Sequence, residues 1–523
     1  MELIKRNIHM DRIRVQASTQ FTMEEDVNLP ESKPDVNQIH LEKGEICIDE
    51  VKSSTDCVMV RGRLQYAILY HTGEDGCGLV SLTGKIPFEE KVHMEGVTVA
   101  DMVMVEEMLE DLTVTLINSR KLSLQAFVCL KAWVNELYDQ EIPIACKGEE
   151  PLEYRRRVVH PMQILVDKRD VLRVKHEISL PSNYPNVCQI LWKDIALRDI
   201  EWKLMEDKIV LSGEVCVSLI YEGEGEEHGC RCYETVFAFQ ETMDAYGCGE
   251  GMIGDVTYRL HQQDVVPRPD FDGELRCVGV ELVIDVCARV YQEETVEMLE
   301  DVYGITKDVE VHMQERKLNR ILGCITAKTK VTDRMKVDMG PVFQLLHWEG
   351  RVIVERKNPA DTGIFIQGVI PVKAMYVTEG DESPYGSVCA QIPFQYTIEV
   401  PGISEEDMGE VKAELEQLQV TMLDGEEMDV KAVLRFSTLV FHSDSVNVIE
   451  DVKYHDLDRE KIKKLPGMVV YVVKPGDSLW SIGKMYHVSV DSLKQWNQLE
   501  GDELQVGQKL LIIKDIIPCA ALS

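Results

Sequence analysis

Basic residues are scarce in this chain. Lys and Arg number 56 against 91 Asp and Glu in 523 residues, a net charge of −35. So anionic a surface repels phosphate backbones and anionic headgroups, which argues against nucleic acid or a negative membrane face as a direct partner. Long apolar runs are also missing. No stretch approaches the roughly 18 apolar residues of a membrane span. Met1 to Met10 holds no apolar core of signal-peptide length. The expectation is a chain with no transmembrane segment and no export signal. Catalytic signatures are absent too: there is no Gly-rich phosphate loop, no His-x-x-x-His and no Gly-x-Ser-x-Gly. Neither an enzyme nor a cofactor is expected. The fifteen cysteines lack zinc-type spacing, and Cys129, Cys216 and Cys287 fall in strand-like runs where small thiols pack well. That pattern predicts a reducing compartment, hence the cytoplasm. Cys230-Arg-Cys232 beside His228 comes nearest to a metal site. A structural site wants four well-placed ligands, so this reads as a solvated hairpin tip.

What is present is repetition. Leu29-Pro-Glu-Ser-Lys-Pro34-Asp-Val36-Asn-Gln38-Ile39 recurs as Leu180-Pro-Ser-Asn-Tyr-Pro185-Asn-Val187-Cys-Gln189-Ile190, and more weakly as Met339-Gly-Pro-Val342-Phe-Gln344-Leu345. A Gly lies 24 residues beyond each Gln (Gly62, Gly213, Gly368), a Tyr 8 beyond each Gly (Tyr70, Tyr221, Tyr376), and a Phe 26 beyond each Gly (Phe88, Phe239, Phe394). Gapless offsets repeated three times mark one duplicated unit. Between Gly and Tyr the apolar residues alternate: Leu64, Tyr66, Ile68, Tyr70; Val215, Val217, Leu219, Tyr221; Ile370, Val372, Ala374, Tyr376. That period of two predicts strands. Pro371 suggests an edge strand or a bulge in the third copy. Turns follow at Thr72–Gly76, Glu222–Gly225 and Thr378–Asp381, leading into the strand with the Phe. Acidic mixed segments come next, of which Glu405 to Leu418 has helical apolar spacing, and then a long closing strand. Copies two and three end alike, Val296-Glu-Met-Leu-Glu-Asp-Val302 against Val446-Asn-Val-Ile-Glu-Asp-Val452.

The predicted fold class is mainly β: three β-rich repeat domains in tandem, with a small βααβ domain at the C-terminus. The expected boundaries are 1–152, 153–306 and 307–455 for the repeats, 456–467 for a linker and 468–514 for the last unit. At about 150 residues each repeat is large enough to fold alone, so beads on a string are expected. The linker's Lys461-x-Lys463-Lys464 cluster reads as solvated, and the short apolar tail after Lys514 carries no readable role.

From Val470 to Ile513 the character changes. Pro466 to Lys514 holds five Lys and five acids, a net charge of zero, so the negative charge lies almost wholly before residue 453. A β-branched run ends in Lys474-Pro475-Gly476, a turn signal. Asp477 or Ser478 then caps a short helix carrying Leu479, Ile482 and Tyr486 on one face. A second helix, roughly Asp491 to Asn497, brings Leu493 and Trp496 to the same core, and Lys509 to Ile513 returns as a strand. Tyr471-x-Val473, Pro475-Gly-Asp-Ser-Leu-Trp480, Trp496-Asn-x-Leu499 and Val506-Gly-Gln-x-Leu510 stand at the spacing of the LysM domain, which this stretch resembles end to end. The resemblance implies a groove for N-acetylglucosamine-containing glycans between two loops. Its candidate residues are Gly476, Asp477, Ser478, Trp480, Asn497, Gln498, Leu499, Glu500 and Leu504. Leu479, Ile482, Leu493, Leu499 and Leu510 read first as core, and Asn497 reads equally as a helix cap. Trp480, Asp477, Glu500 and Gln505 are the better surface candidates.

Three acidic β-rich repeats followed by one LysM unit resemble the SipL-type spore coat morphogenetic proteins of Clostridia and relatives, whose repeats are called SPOCS domains. The carriers are the repeated Pro-x-Val-x-Gln-Ile segments and the LysM motif, in that order. The third copy departs, with Gly340 and Pro341 where the others have Pro then Asp or Asn. The resemblance implies a non-enzymatic assembly protein of the mother-cell cytoplasm, gathered at the forespore surface, whose LysM domain binds the coat scaffold ATPase SpoIVA. Other coat proteins are further implied partners. The alternative is a peptidoglycan-binding protein of cortex or wall, with Trp480 stacking on sugar.

Overall fold

The computed structural model describes residues 2–72, 78–148, 151–224, 230–337, 342–360, 362–378, 384–405, 407–423, 426–456 and 467–513. The expected turn tips at 73–76, 225 and 379–381 lie outside these residues. So do the third-copy segment Met339–Pro341, His228, the linker cluster and the tail from 514. No described helix is long and apolar enough to cross a membrane.

Each repeat is a sandwich of two antiparallel sheets. In the first, β1 (Glu2–Asn28), β6 (Lys121–Lys147) and β5 (Met104–Asn118) pair in the order β1-β6-β5, and β2 (Gln38–Ser54), β3 (Cys57–His71) and β4 (Leu79–His93) form the second sheet. Met23, Ala126, Val128 and Leu130 of one sheet pack on Ile46, Val58, Val60 and Leu64 of the other. The second repeat repeats this with β8 (Met162–Ser179), β13 (Cys277–Glu293) and β12 (Ile253–Arg268) over β9 (Val187–Met205), β10 (Lys208–Gly223) and β11 (Cys230–Asp244). In the third, β15 (Asp308–Lys336), β21 (Glu427–His455) and β20 (Met408–Met422) face β16 (Val342–Gly350), β17 (Ile353–Ala360), β18 (Gly363–Thr378) and β19 (Tyr385–Glu399).

The repeated offsets have direct structural causes. Gly62, Gly213 and Gly368 stand opposite Phe88, Phe239 and Phe394 in the cross-strand register. A Cβ on Gly62 would lie 2.7 Å from the Phe88 ring, and one on Gly368 2.8 Å from the Phe394 ring, so the aromatic lies across bare backbone. Tyr70 Oη donates to Pro34 O at 3.0 Å and Tyr221 Oη to Pro185 O at 3.2 Å. Each bond pins the Leu-Pro segment to the strand end, and the Arg120 and Arg276 guanidiniums donate to carbonyls of the same segments.

Two expectations are corrected. The stretch with helical spacing, from Glu405 to Leu418, lies largely in strand β20 (Glu406 is outside the described residues). A bulge at Leu415/Gln417 shifts the inward parity by one, so Val411, Leu415 and Leu418 imitate an i, i+4, i+7 stripe. The equivalent strands carry bulges at Leu109/Asp111 and Leu260/Gln262. Pro371 lies on β18, which has neighbours on both sides and is no edge. It is tolerated because the neighbour is split into β16 and β17 opposite it, and Pro371 O accepts from Arg351 N across the gap.

The repeats are not separate beads. Leu41, Leu69 and Leu79 of the first, Leu191, Trp192 and Ile220 of the second, and Leu346, Met375 and Tyr385 of the third form one buried cluster, the axial core. Around it run bonds between every pair of repeats: Lys43 with Asp194, Lys373 with Glu42, and Ser218 Oγ with His347 Nδ1 at 3.2 Å. Beyond the sandwiches, three two-stranded ribbons share further cores. They are the outer halves of β1/β6 and β15/β21, and the pair β7 (Leu152–Val159) with β14 (Val296–Gly304). Ile8, Ile142, Val296, Met298, Leu318 and Val446 pack together, as do Cys146, Leu299, Val302, Val309 and Ile449. Twelve described cysteines are free thiols, whereas Cys230 is engaged in a disulfide, a departure from the expectation of reduced thiols throughout.

Candidate functional site

The C-terminal unit is the expected βααβ module: β22 (Met468–Val472), α1 (Leu479–Tyr486), α2 (Val490–Asn497) and β23 (Lys509–Ile513), with β22 antiparallel to β23. Val473, Leu479, Ile482, Val488, Leu493, Leu510 and Ile512 form its own core.

Most of the candidate groove residues hold the module together. Asp477 accepts from Tyr471 Oη at 2.7 Å and Lys474 N at 2.8 Å, and these bonds hold its carboxyl below the ordinary range. Gly476 takes φ +90°, where a side chain would be strained. Ser478 caps α1, its Oγ accepting from Ser481 N while Ser481 Oγ accepts from Ser478 N. Asn497 ties α2 to β23, donating to Leu493 O and Leu511 O and accepting from Leu511 N at 2.6 Å. Leu499 and Leu504 are half-buried against the module core. Gln498 closes α2 in the left-handed conformation, and Gln498 and Glu500 are exposed. Of the candidate residues, the two loops leave Gly476, Ser478, Gln498 and Glu500 exposed.

Trp480 is not one of these exposed residues. Its Nε1 donates to Asp301 Oδ2 at 2.8 Å, and Lys484 Nζ donates to the other oxygen of the same carboxylate at 2.7 Å. Its ring stands edge to Tyr303, centroids 4.8 Å apart, with the Arg155 guanidinium 5.6 Å over its face. Tyr303 Oη donates to Val488 O at 2.7 Å, and His487 Nδ1 meets Gly304 O at 3.0 Å. Asp301 and Tyr303 are buried, and burial raises the Tyr303 hydroxyl. Glu153 accepts from Val490 N, and burial pushes its carboxyl up. Gly483 permits the close seat: a Cβ there would lie 2.5 Å from Tyr303 Oη. The module is thus seated by α1 and the following turn on the end of the β7/β14 ribbon.

Sequence reasoning missed Asp301, Tyr303, Gly304, Arg155 and Glu153. The available signal was Gly483, an isolated glycine inside a short helix, which costs stability unless something approaches closely. Cys230 is in its disulfide, burial pushes the Cys232 thiol up to about 12, and His228 lies outside the described residues. Among the described residues no group of three His, Cys, Asp or Glu is placed to hold a metal ion.

Comparison with known proteins finds three repeats followed by one further unit. The family model described as "SipL, SPOCS domain" matches residues 35–117, 186–266 and 341–423, and the LysM domain model matches 471–512. Similar curated proteins include an autolysin of Enterococcus faecalis, 50% identical over 44 residues (8% of this chain, 6% of the relative). A probable peptidoglycan endopeptidase, LytE, of Bacillus subtilis is 52% identical over 40 residues (8% and 12%). A probable N-acetylmuramidase of Lactococcus lactis subsp. cremoris is 42% identical over 40 residues (8% and 9%). The chain covers no more than 12% of the length of these relatives. No solved structure matches.

Proposed function

We propose, from the premise that this chain belongs to the SipL-type proteins with three SPOCS domains and a C-terminal LysM domain, that it is a non-enzymatic assembly protein of the spore coat. SPOCS and LysM domains are binding modules, and the combination is sporulation-associated. In this reading the protein works in the mother-cell cytoplasm at the forespore surface, and its LysM face binds the coat scaffold ATPase SpoIVA. The observation that carries the choice of a protein partner over a sugar is the engagement of Trp480. The aromatic that could stack on a sugar ring is held by Asp301, Tyr303 and Arg155 of the same chain. What remains open is the short polar and acidic rim of Ser478, Gln498 and Glu500, which suits hydrogen bonds to a polypeptide. Three fused repeats and a seated module make a rigid carrier, so recruitment proceeds with little ordering cost.

The test is co-precipitation of SpoIVA from sporulating cells by the full chain and by Glu500→Lys with Gln498→Ala. Loss of capture by the double variant, with its thermal unfolding unchanged, is expected. Capture that survives both this variant and removal of the LysM domain sinks the reading. A second reading, binding to peptidoglycan, is favoured by the LysM likeness to the autolysin and to LytE. Retention of the full chain on purified sacculi, competed by chitin oligomers, would establish it instead.

A further inference from the structure

The axial core that joins the three repeats is apolar except for a few buried polar side chains, His40, His71 and His347 among them. His40 is fully buried, and neither ring nitrogen finds a hydrogen-bond partner. Its neighbours are the His71 ring from β3, 6.4 Å away, and the Tyr385 ring from β19, 6.0 Å away. Lys373 of β18 also acts on it, and Glu42 of its own strand is bound to that lysine. From β11, Cys230 and Cys232 pack against the same cluster. Trp192 Nε1 is likewise buried and without a hydrogen bond, whereas His347 Nε2 lies 3.8 Å from Glu349 Oε2.

The threefold repetition supplies a comparison inside the chain. Two residues beyond Gln38, Gln189 and Gln344 stand His40, Leu191 and Leu346, and all three are buried in the axial core or against it. Leucine therefore fills this position in two copies, and histidine adds no bond in the third. Its distinguishing property is that it can take a proton. Among the described residues, a charged imidazole there would meet a lysine, another imidazole, a phenol and aliphatic carbon, and no carboxylate accepts from either ring nitrogen.

We propose that the axial core is an acid-released clasp: protonation of His40 parts the three repeats from one another while each sandwich keeps its own core. Burial, then His71 and Lys373, hold His40 down at about 4 while the core is closed, against an ordinary 6.5. A depressed histidine contributes its full share above the ordinary value, and that share is lost as pH falls from there toward the closed-state value. The closed-to-open ratio can fall by at most about 300-fold across that window. Burial lowers His71 as well, which adds to the loss with the same sign. The sandwich cores around Leu64, Val215 and Phe436 are built of apolar side chains, and His176, which stacks on Phe237 at 4.0 Å, is itself exposed.

Small-angle scattering on the full chain, with far-ultraviolet circular dichroism in parallel, tests this from about pH 7.5 to about pH 4.5. The wild type is expected to expand on acidification with its strand signal retained, and His40→Leu is expected to stay compact at the same pH. Expansion of His40→Leu at the wild-type midpoint overturns the proposal, as does loss of the wild-type strand signal together with its compactness. Should His40→Leu fail to reach the native radius at neutral pH, His40→Met replaces it. Histidine NMR of the wild type decides independently, because an imidazole of His40 that titrates near its ordinary value removes the basis of the clasp.

Discussion

Gly62 and Phe88 face each other across two strands, and the same pair recurs as Gly213 with Phe239 and Gly368 with Phe394. The offset of 26 residues visible in the sequence is a cross-strand contact, because the hairpin between the two strands keeps its length in every copy. A Cβ on Gly62 would also lie 2.5 Å from Cys47 O, and that backbone atom cannot turn aside. Gly62→Ala should therefore cost about 1–3 kcal/mol, as overpacking of a filled core does. Urea unfolding of the full chain checks this, and adding Phe88→Leu should recover only the part due to the ring, leaving the carbonyl clash. Full recovery would place the whole effect in the aromatic. Tyr70 works at the same scale. Its hydroxyl bond to Pro34 O explains why Tyr and the Pro-x-Val segment keep step along the chain. Tyr70→Phe should cost about 1 kcal/mol in the same measurement.

At the scale of elements, what the sequence made legible was whatever is local. The LysM unit could be read end to end because its turn, caps and core spacing lie within one short stretch, and Ser478, Gly476 and Asn497 sit at its structural joints. Strand parity from Leu64 to Tyr70 was legible for the same reason. β20 was not, because its bulge inserts one residue and converts a period of two into apparent helical spacing. The seat of the module was hidden for a different reason: Asp301 and Trp480 are far apart in the chain, and only folding brings them to 2.8 Å. Its copy in the third repeat keeps the acid as Asp451 but has Lys453 where Tyr303 stands, so repetition masked the difference. Asp301→Asn tests the seat. It removes the charge that holds both Trp480 and Lys484, and hydrogen bonds to charged groups contribute about 1.5–3 kcal/mol. The expected outcome is a LysM domain released from the ribbon, seen as a red shift of Trp480 emission and faster proteolytic separation of the module, with the unfolding of the sandwiches unchanged. An unshifted emission would mean that the remaining contacts, Tyr303 with Val488, His487 with Gly304 and Glu153 with Val490, keep the module seated without the charge.

At the scale of the whole molecule, the number of repeats follows from what each leaves uncovered. A single sandwich buries its own interior, for example Val215, Val217 and Val280 in the second copy. It also carries two apolar surfaces that only the other copies cover. One is the axial face of Leu191, Trp192 and Ile220, and the other is the ribbon face of Val296, Met298, Leu299 and Val302. Exposed together these would form contiguous apolar patches of the size that drives association. Three copies around one axis close both at once, and a further copy would find neither surface available. Residues 151–306 expressed alone should therefore fold as a sandwich yet self-associate through the faces that the first and third repeats cover in the intact chain. Analytical ultracentrifugation over a range of concentrations measures this directly. Association that is abolished by Trp192→Glu with Met298→Glu would identify these faces as its cause. A fragment that sediments as a monomer throughout, with a cooperative thermal transition, would show that each repeat is self-sufficient and that the shared cores are a consequence of tethering.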